Sequence, residues 1–358
     1  MNTTRLQPIT AGGKTLQVIE VLAKLARQMG QDAKLPTTRD LCKKMGISQS
    51  TLDAALDRLE FQGLLYRRQG SGIYVASMAH IRRIGLIVQQ DSLEPGRGGM
   101  GNFDQLLLSF LRSECGRRDE MLTVYGFSPQ HDVARFGPQQ MELDAQSGRM
   151  DALIALGLDY PWPIKVPCVY LTPTDIPLYE PWVSLDYREM VAQGVRALVR
   201  AGCERIGLAY PSDPHNVNSI YCDAFQQALR AEGVVEDPLW LMPFEFDKVG
   251  LRMLEASRRF VWLWEESDVR PDGLLSMDDH YTAGLLHGAE VLGVRIPQDL
   301  MVASHANKGL DLFNGADVIR LEYDPAEVAR VLLDTVDELL AGNEVKPALS
   351  ILPQVFGA

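Results

Sequence analysis

The sequence predicts a multidomain chain: a small α+β head followed by a larger, two-lobed α/β body with parallel sheets. Three observations lead there. First, 358 residues exceed what a single core ordinarily serves. Second, charge is unevenly placed. Residues 1–83 hold thirteen Lys and Arg against six Asp and Glu, a balance of +7, which leaves −19 for the rest of a chain whose total is −12. Third, the apolar pattern changes at Ile84, from short amphipathic helices and a hairpin to apolar strands alternating with helices.

The head is assigned to residues 1–76. "KTLQVIEVLAKLARQM" carries apolar residues at helical spacing and stops at Gly30. "LPTTRDLCKKMG" offers a Thr-Thr-x-Asp start, an apolar face of Leu41, Cys42 and Met45, and Gly46 as terminator. "ISQSTLDAALDRLEFQG" follows, with Ser48 as N-cap, a stripe of Leu52, Ala55, Leu56 and Leu59, and Gly63 as the stop. Two short helices joined by a tight Gly-containing turn form a helix-turn-helix. "LLYRRQGSGIYVA" then alternates as two strands around Gly70 and Gly72. Three helices and a hairpin make a winged helix-turn-helix.

Residues 77–83, "SMAHIRR", read as the linker, and residues 84–358 as the body. "RIGLIVQQ" is apolar enough for a strand buried on both faces. Further strands are expected at "MLTVYGF", "DALIALGL", "VPCVYL", "RIGLAYP", "DGLLSMDD" and "LMVASHA". Helices are expected between them, the last being "PAEVARVLLDTVDELLAG". Repeated βα units imply parallel sheets covered by helices. About 270 residues is long for one such sheet, so two lobes around a cleft are expected, with ligands at the carboxyl ends of the strands.

Composition and motifs narrow the function classes. No run approaches the roughly 20 apolar residues that span a bilayer, and the first residues lack a secretory pattern. The expectation is a cytoplasmic chain with no membrane role. Five scattered cysteines show no C-x-x-C pair and no metal spacing, so reduced thiols are expected and neither a metal nor a cofactor. There is no Gly-x-Ser-x-Gly elbow, and "GRGGMG" at 96–101 lies outside any strand–helix phosphate fingerprint, so no catalytic residue is assigned.

The stretch "LPTTRDLCKKMGISQSTLDAALDRLEFQGLLYRRQGSGIYVA" resembles the GntR family of bacterial transcription regulators over about 42 residues. Residues 82–356 resemble the effector domain of LacI/GalR-type repressors, a periplasmic-binding-protein fold. The segments that carry this include "RMDALIAL", "VSLDYREMVAQGVRALVRAGCERIGLAYP" and, most diagnostically, "AEVLGVRIPQDLMV". The combination resembles the arabinose-repressor subgroup. It implies a regulator, most simply a repressor, that binds double-stranded operator DNA as a homodimer under control of a small-molecule effector.

In this architecture the second helix of the motif enters the major groove by its N-terminus, which places Ser48, Gln49, Ser50 and Thr51 at base edges. Gln pairs bidentately with adenine, and Ser and Thr serve bases or phosphates. The resemblance makes Arg39 a DNA-contacting residue, flanked by Thr37 and Thr38. The wing supplies Arg67, Arg68 and Gln69 for phosphate grip, with Gly70, Ser71 and Gly72 at a tip whose bare backbone can approach the duplex. Gln49 and Asp53 replace residues that are often basic in the family, which implies an altered operator and weaker non-specific binding.

The effector contacts are less regular. Relatives commonly hold ligand with an Arg and an Asp at positions that align here with Tyr221 and Ala306. Both charged anchors are therefore missing, and a sugar-like ligand loses its bidentate partners. Asp91, Phe103, Tyr221, Glu245, Asp279, His305 and Asn307 remain as candidates for a pocket suited to a polar or cationic metabolite. Simpler readings stand beside several of them. Asp279 can cap the helix that follows, and Trp262 and Trp264 read as core. The alternative for the body as a whole is a ligand-blind dimerisation or protein-docking module.

Overall fold

The computed structural model describes residues 14–89, 102–127, 138–156, 166–172, 180–212, 220–234, 240–245 and 249–357. The head contains α1 (Lys14–Gln28), α2 (Thr38–Met45), α3 (Gln49–Phe61) and a hairpin of β1 (Leu65–Arg68) and β2 (Gly72–Val75). Its core is small and dry: Leu22, Leu41, Met45, Leu52, Leu59 and Val75 are fully buried. At about 1.5–3 kcal/mol per buried aliphatic side chain, this stripe holds the three helices together. Thr37 starts α2, its hydroxyl accepting from the Asp40 N–H at 3.2 Å and donating to the Asp40 carboxylate at 2.6 Å. Gly46 ends it at φ +66°, a conformation that favours glycine. A bridge from Lys34 to Tyr74 adds a third short strand segment to the wing.

The region assigned as linker is not a free tether. Ser77–His80 form one 3₁₀ turn, and Ala79 is buried in the head core. The body strand β3 (Arg83–Gln89) begins only two residues after this turn.

The body has two six-stranded sheets. The first runs in the order β13-β7-β6-β5-β3-β4, with β4 (Met121–Phe127), β5 (Ala152–Leu156), β6 (Cys168–Thr172), β7 (Trp182–Leu185) and β13 (Ala348–Ile351), all parallel. Helices α4 (Asn102–Arg117) and α5 (Gln139–Gln146) lie between its strands in sequence. The second runs β14-β12-β11-β10-β8-β9, with β8 (Ile206–Ser212), β9 (Leu241–Glu245), β10 (Gly273–Ser276), β11 (Met301–Asn307), β12 (Ile319–Tyr323) and β14 (Gln354–Phe356). Only β14 is antiparallel to its neighbour. Between the strands of this sheet come α7 (Ile220–Glu232), α8 (Val249–Glu266) and α9 (Asp279–Leu292), while α6 (Tyr187–Arg200) enters it from β7. The chain crosses between lobes after β7, through α10 (Pro325–Ala341) after β12, and again between β13 and β14. The first sheet thus recruits β13 from the far end of the sequence.

Two lobes of parallel sheet agree with the expectation, but five strands escaped it: β7, β9, β12, β13 and β14. They are short, at three to five residues, and one carries an interrupting signal. Pro243 lies inside β9, which tolerates it because β9 is an edge strand. Trp262 also departs from the core reading, being 60% exposed, whereas Trp264 packs on Phe260 and Trp240.

Candidate DNA-binding surface and effector cleft

The head places the expected DNA-facing residues at the starts of two helices and on the wing. Thr38 and Arg39 open α2, and Gln49, Ser50 and Thr51 open α3. Arg39, Gln49 and Ser50 are exposed. Ser48 is engaged as the N-cap: its hydroxyl accepts from the Thr51 N–H at 3.2 Å and bonds the Ser50 and Thr51 hydroxyls at 3.0 and 2.8 Å. Thr37 is likewise spent on its cap. Gln49 leans on Asp53 at 3.4 Å, a contact weak enough to exchange for a base edge.

The two wing arginines have different surroundings because successive strand residues face opposite ways. Arg67 faces α3, with Nη1 2.6 Å from Asp57 and 2.9 Å from Glu60, while its backbone N–H donates to Glu60 at 3.1 Å. In the DNA-free chain the Arg67 charge is thus paired within the head. Arg68 lies on the other face, over the rings of Tyr66 and Tyr74 at 5.3 and 5.0 Å. Those rings stack across the strands at 5.6 Å. Arg68, Gln69, Gly70, Ser71 and Gly72 are exposed at the tip. Gly70 and Gly72 have φ of +69° and +132°, and a Cβ on Gly72 would meet Lys34 at 2.8 Å.

The second site lies at the carboxyl ends of the body strands. Asp91 falls outside the described residues, as does the side chain of Glu245. Tyr221 begins α7 and meets Tyr187 edge-on at 5.6 Å. Tyr187 meets Tyr323 at 6.1 Å, and Tyr323 meets His305 at 6.0 Å. Phe103 packs at the edge of the same core. Burial, with the nearby Asp104 and Asp278 charges, raises the Tyr187 hydroxyl pKa, so it stays a neutral donor. Burial alone pushes the Asp104 carboxyl up to about 6.

Asp279 is not the cap of α9. Asp278 takes that role, accepting from the Tyr281 N–H at 2.7 Å. Asp279 instead accepts from Asn307 Nδ2 at 2.8 Å, joining two expected site residues in a buried pair. The Asn307 Oδ1 and His305 Nε2 atoms are buried without a hydrogen-bond partner. Sequence reasoning missed Arg252. It is 1% exposed and its Nη1 lies 2.7 Å from Asp278. An arginine from the first turn of α8 thus reaches Asp278, two residues beyond β10. Its signal in "GLRMLEAS" was faint, because Arg at helical spacing reads as a solvated face.

A winged helix-turn-helix head on a two-lobed α/β body defines a DNA-binding transcription regulator. Residues 20–75 match the model for bacterial regulatory proteins of the gntR family, and residues 195–356 match that of the periplasmic binding protein-like domain; the chain joins one of each. It is similar to the arabinose metabolism transcriptional repressor of Geobacillus stearothermophilus, with 22% identity over 294 residues, 78% of this chain and 77% of the relative. Among solved structures it resembles a regulatory protein of the LacI family from Chloroflexus aggregans (TM-score 0.63, 17% identity, 76% of this chain and 96% of that one). It also resembles a transcriptional regulator CelR–cellobiose complex (TM-score 0.60, 16% identity, 95% and 98% of the two chains). At these identities the structural likenesses define the fold. No helix among the described residues is long and apolar enough to cross a membrane.

Proposed function

We propose that this protein is a homodimeric repressor whose operator affinity is set by a small polar metabolite bound between the lobes. The observation that carries the reading is the joining of a winged helix-turn-helix head to a body that packs the Tyr221, Tyr187, Tyr323 and His305 rings in succession. The cellobiose bound by one structural relative and the arabinose in the names of others support a sugar-like class. The exposed apolar residues Leu251, Leu254 and Trp262, on one face of α8, support pairing of two copies. A ligand acts by binding one arrangement of the lobes better than another. Ala306 in place of the usual acidic anchor shifts recognition to Arg252, Asp278 and the tyrosine hydroxyls.

One observation favours the ligand-blind alternative: Arg252–Asp278 and Asp279–Asn307 already bond each other. A thermal-shift screen of sugars, polyols, amines and nucleosides separates the readings. A ligand at 100 times its Kd stabilises by about 2.7 kcal/mol. A hit that also changes operator binding is the expected result. A silent panel sinks the effector reading and leaves the DNA-binding one intact.

A further inference from the structure

The junction between head and body is short and polar. The 3₁₀ turn belongs to the head: Ala79 is in its core, and the Met78 sulfur lies 3.1 Å from where a Cβ on Gly63 would be. Polar contacts then carry the head across to the first lobe. Arg27, in the last turn of α1, places Nη1 2.8 Å from Asp151 Oδ1 and donates from Nη2 to the Gly148 carbonyl at 3.2 Å. Arg83, the first residue of β3, donates to the Gln62 carbonyl just beyond α3 at 3.3 Å. The second Asp151 oxygen accepts from the Arg83 backbone N–H at 2.9 Å. One carboxylate, immediately before β5, therefore ties a head helix to the first body strand.

A cavity of about 290 Å³, lined by charged Arg27, Arg82 and Asp151 and by apolar Ala79, Ile81 and Leu340, lies beside the contact. Cations crowd it. Arg82 is paired with Glu120 and Asp337, and Arg149 with Asp144, which leaves Asp151 between Arg27 and Arg83. Burial, reinforced by the Arg27 and Arg149 charges, lowers the pKa of Arg83.

The geometry points to Arg27 and Asp151 as positioning residues that fix the head on the body and thereby set the operator half-site spacing that two heads accept. This rests on the dimer reading above. Heads on flexible tethers reach a range of sites, because end-to-end distance grows as roughly 5–6 Å × √n for a flexible linker. Heads docked by a carboxylate bridge have one separation. Each inserted base pair moves a half-site by about 3.4 Å and about a tenth of a turn, which docked heads must reject.

The test is selection from random duplex DNA with the full-length protein, followed by affinity measurements on the selected site with one or two base pairs inserted or removed. The wild type is expected to show a narrow optimum, with a loss of about tenfold or more per step. Arg27→Ala should flatten that loss to about two- to threefold while the salt slope at the best site stays unchanged, since DNA contacts are untouched. Asp151→Asn should flatten it further, because Arg27 then faces Arg83 with no acid between them. Arg27→Lys, which keeps the charge, should retain most of the selectivity and controls for folding. If both Arg27→Ala and Asp151→Asn keep the wild-type spacing profile, the positioning role is wrong and the dimer reading survives. If the wild type selects single half-sites, both fall.

Discussion

Arg67 and Arg68 are neighbours of the same chemistry in different surroundings, and the difference is measurable. Arg67 is neutralised by Asp57 and Glu60, whereas Arg68 lies over two tyrosines at the exposed wing tip. Each phosphate contact contributes about 0.9 to the slope of log K against log salt. Arg68→Ala should reduce that slope by about one contact. Arg67→Ala should weaken binding through a loosened wing and leave the slope in place; a slope reduced equally by both would return Arg67 to the phosphates. Asp104 gives a second residue-scale prediction. Burial raises its pKa from 3.8 to about 6, so the folded chain holds this proton more firmly than the unfolded one. The unfolded state therefore binds fewer protons between about pH 4 and 6, and stability falls as pH rises through that window. Asp104→Asn should stabilise the body by about 1–2 kcal/mol at pH 7, a figure reduced because the side chain keeps some contact with solvent. Near pH 4 the gain should vanish; an equal rise in Tm at both pH values would refute the assignment.

At the scale of elements, α8 and α9 show how small residues decide a packing distance. A Cβ on Gly284 would lie 2.2 Å from the Met253 carbonyl oxygen, and one on Gly288 would lie 2.9 Å from that of Ser257. Backbone cannot retreat as a side chain can. Gly284→Ala should therefore force the helices apart and cost about 1–3 kcal/mol or more, read as a lower Tm of the body. The change also moves Arg252 relative to Asp278, since these sit on or beside the two helices. Loss of stability with no change in DNA binding at low temperature would show that helix spacing acts on the body alone. The head elements were readable because every cap was written locally: Thr37 and Ser48 start helices, and Gly46 ends one. In the body, β13 and β14 escaped sequence reading because each is a few residues long and pairs with a strand far away in the chain.

At the scale of the whole molecule, the charge split is structural as well as functional. The basic head does not float beside the acidic body but docks through Arg27, Arg83 and Asp151. The seven-residue linker shrinks to two residues between the 3₁₀ turn and β3. Lobe closure around an effector thus has a stiff route to the head, because β3 and β5 both belong to the first sheet and both border the bridge. An effector that releases the operator should do so by altering the separation of the heads. Its effect should fall in Arg27→Ala, measured as a smaller ratio of operator affinities without and with the ligand.

The sequence by itself determined the winged head and the alternating βα body. Those features are local: caps, periodicity and turn glycines. Tertiary structure alone decided that Arg67 is paired inside the head, that Arg252 reaches Asp278, that Asn307 holds Asp279, and that Asp151 bridges head and body. The first depends on which strand face the side chain takes, and the others pair residues 26 or more apart in the chain. A charged residue's partner is set by where the chain folds back, and no spacing in the sequence encodes that.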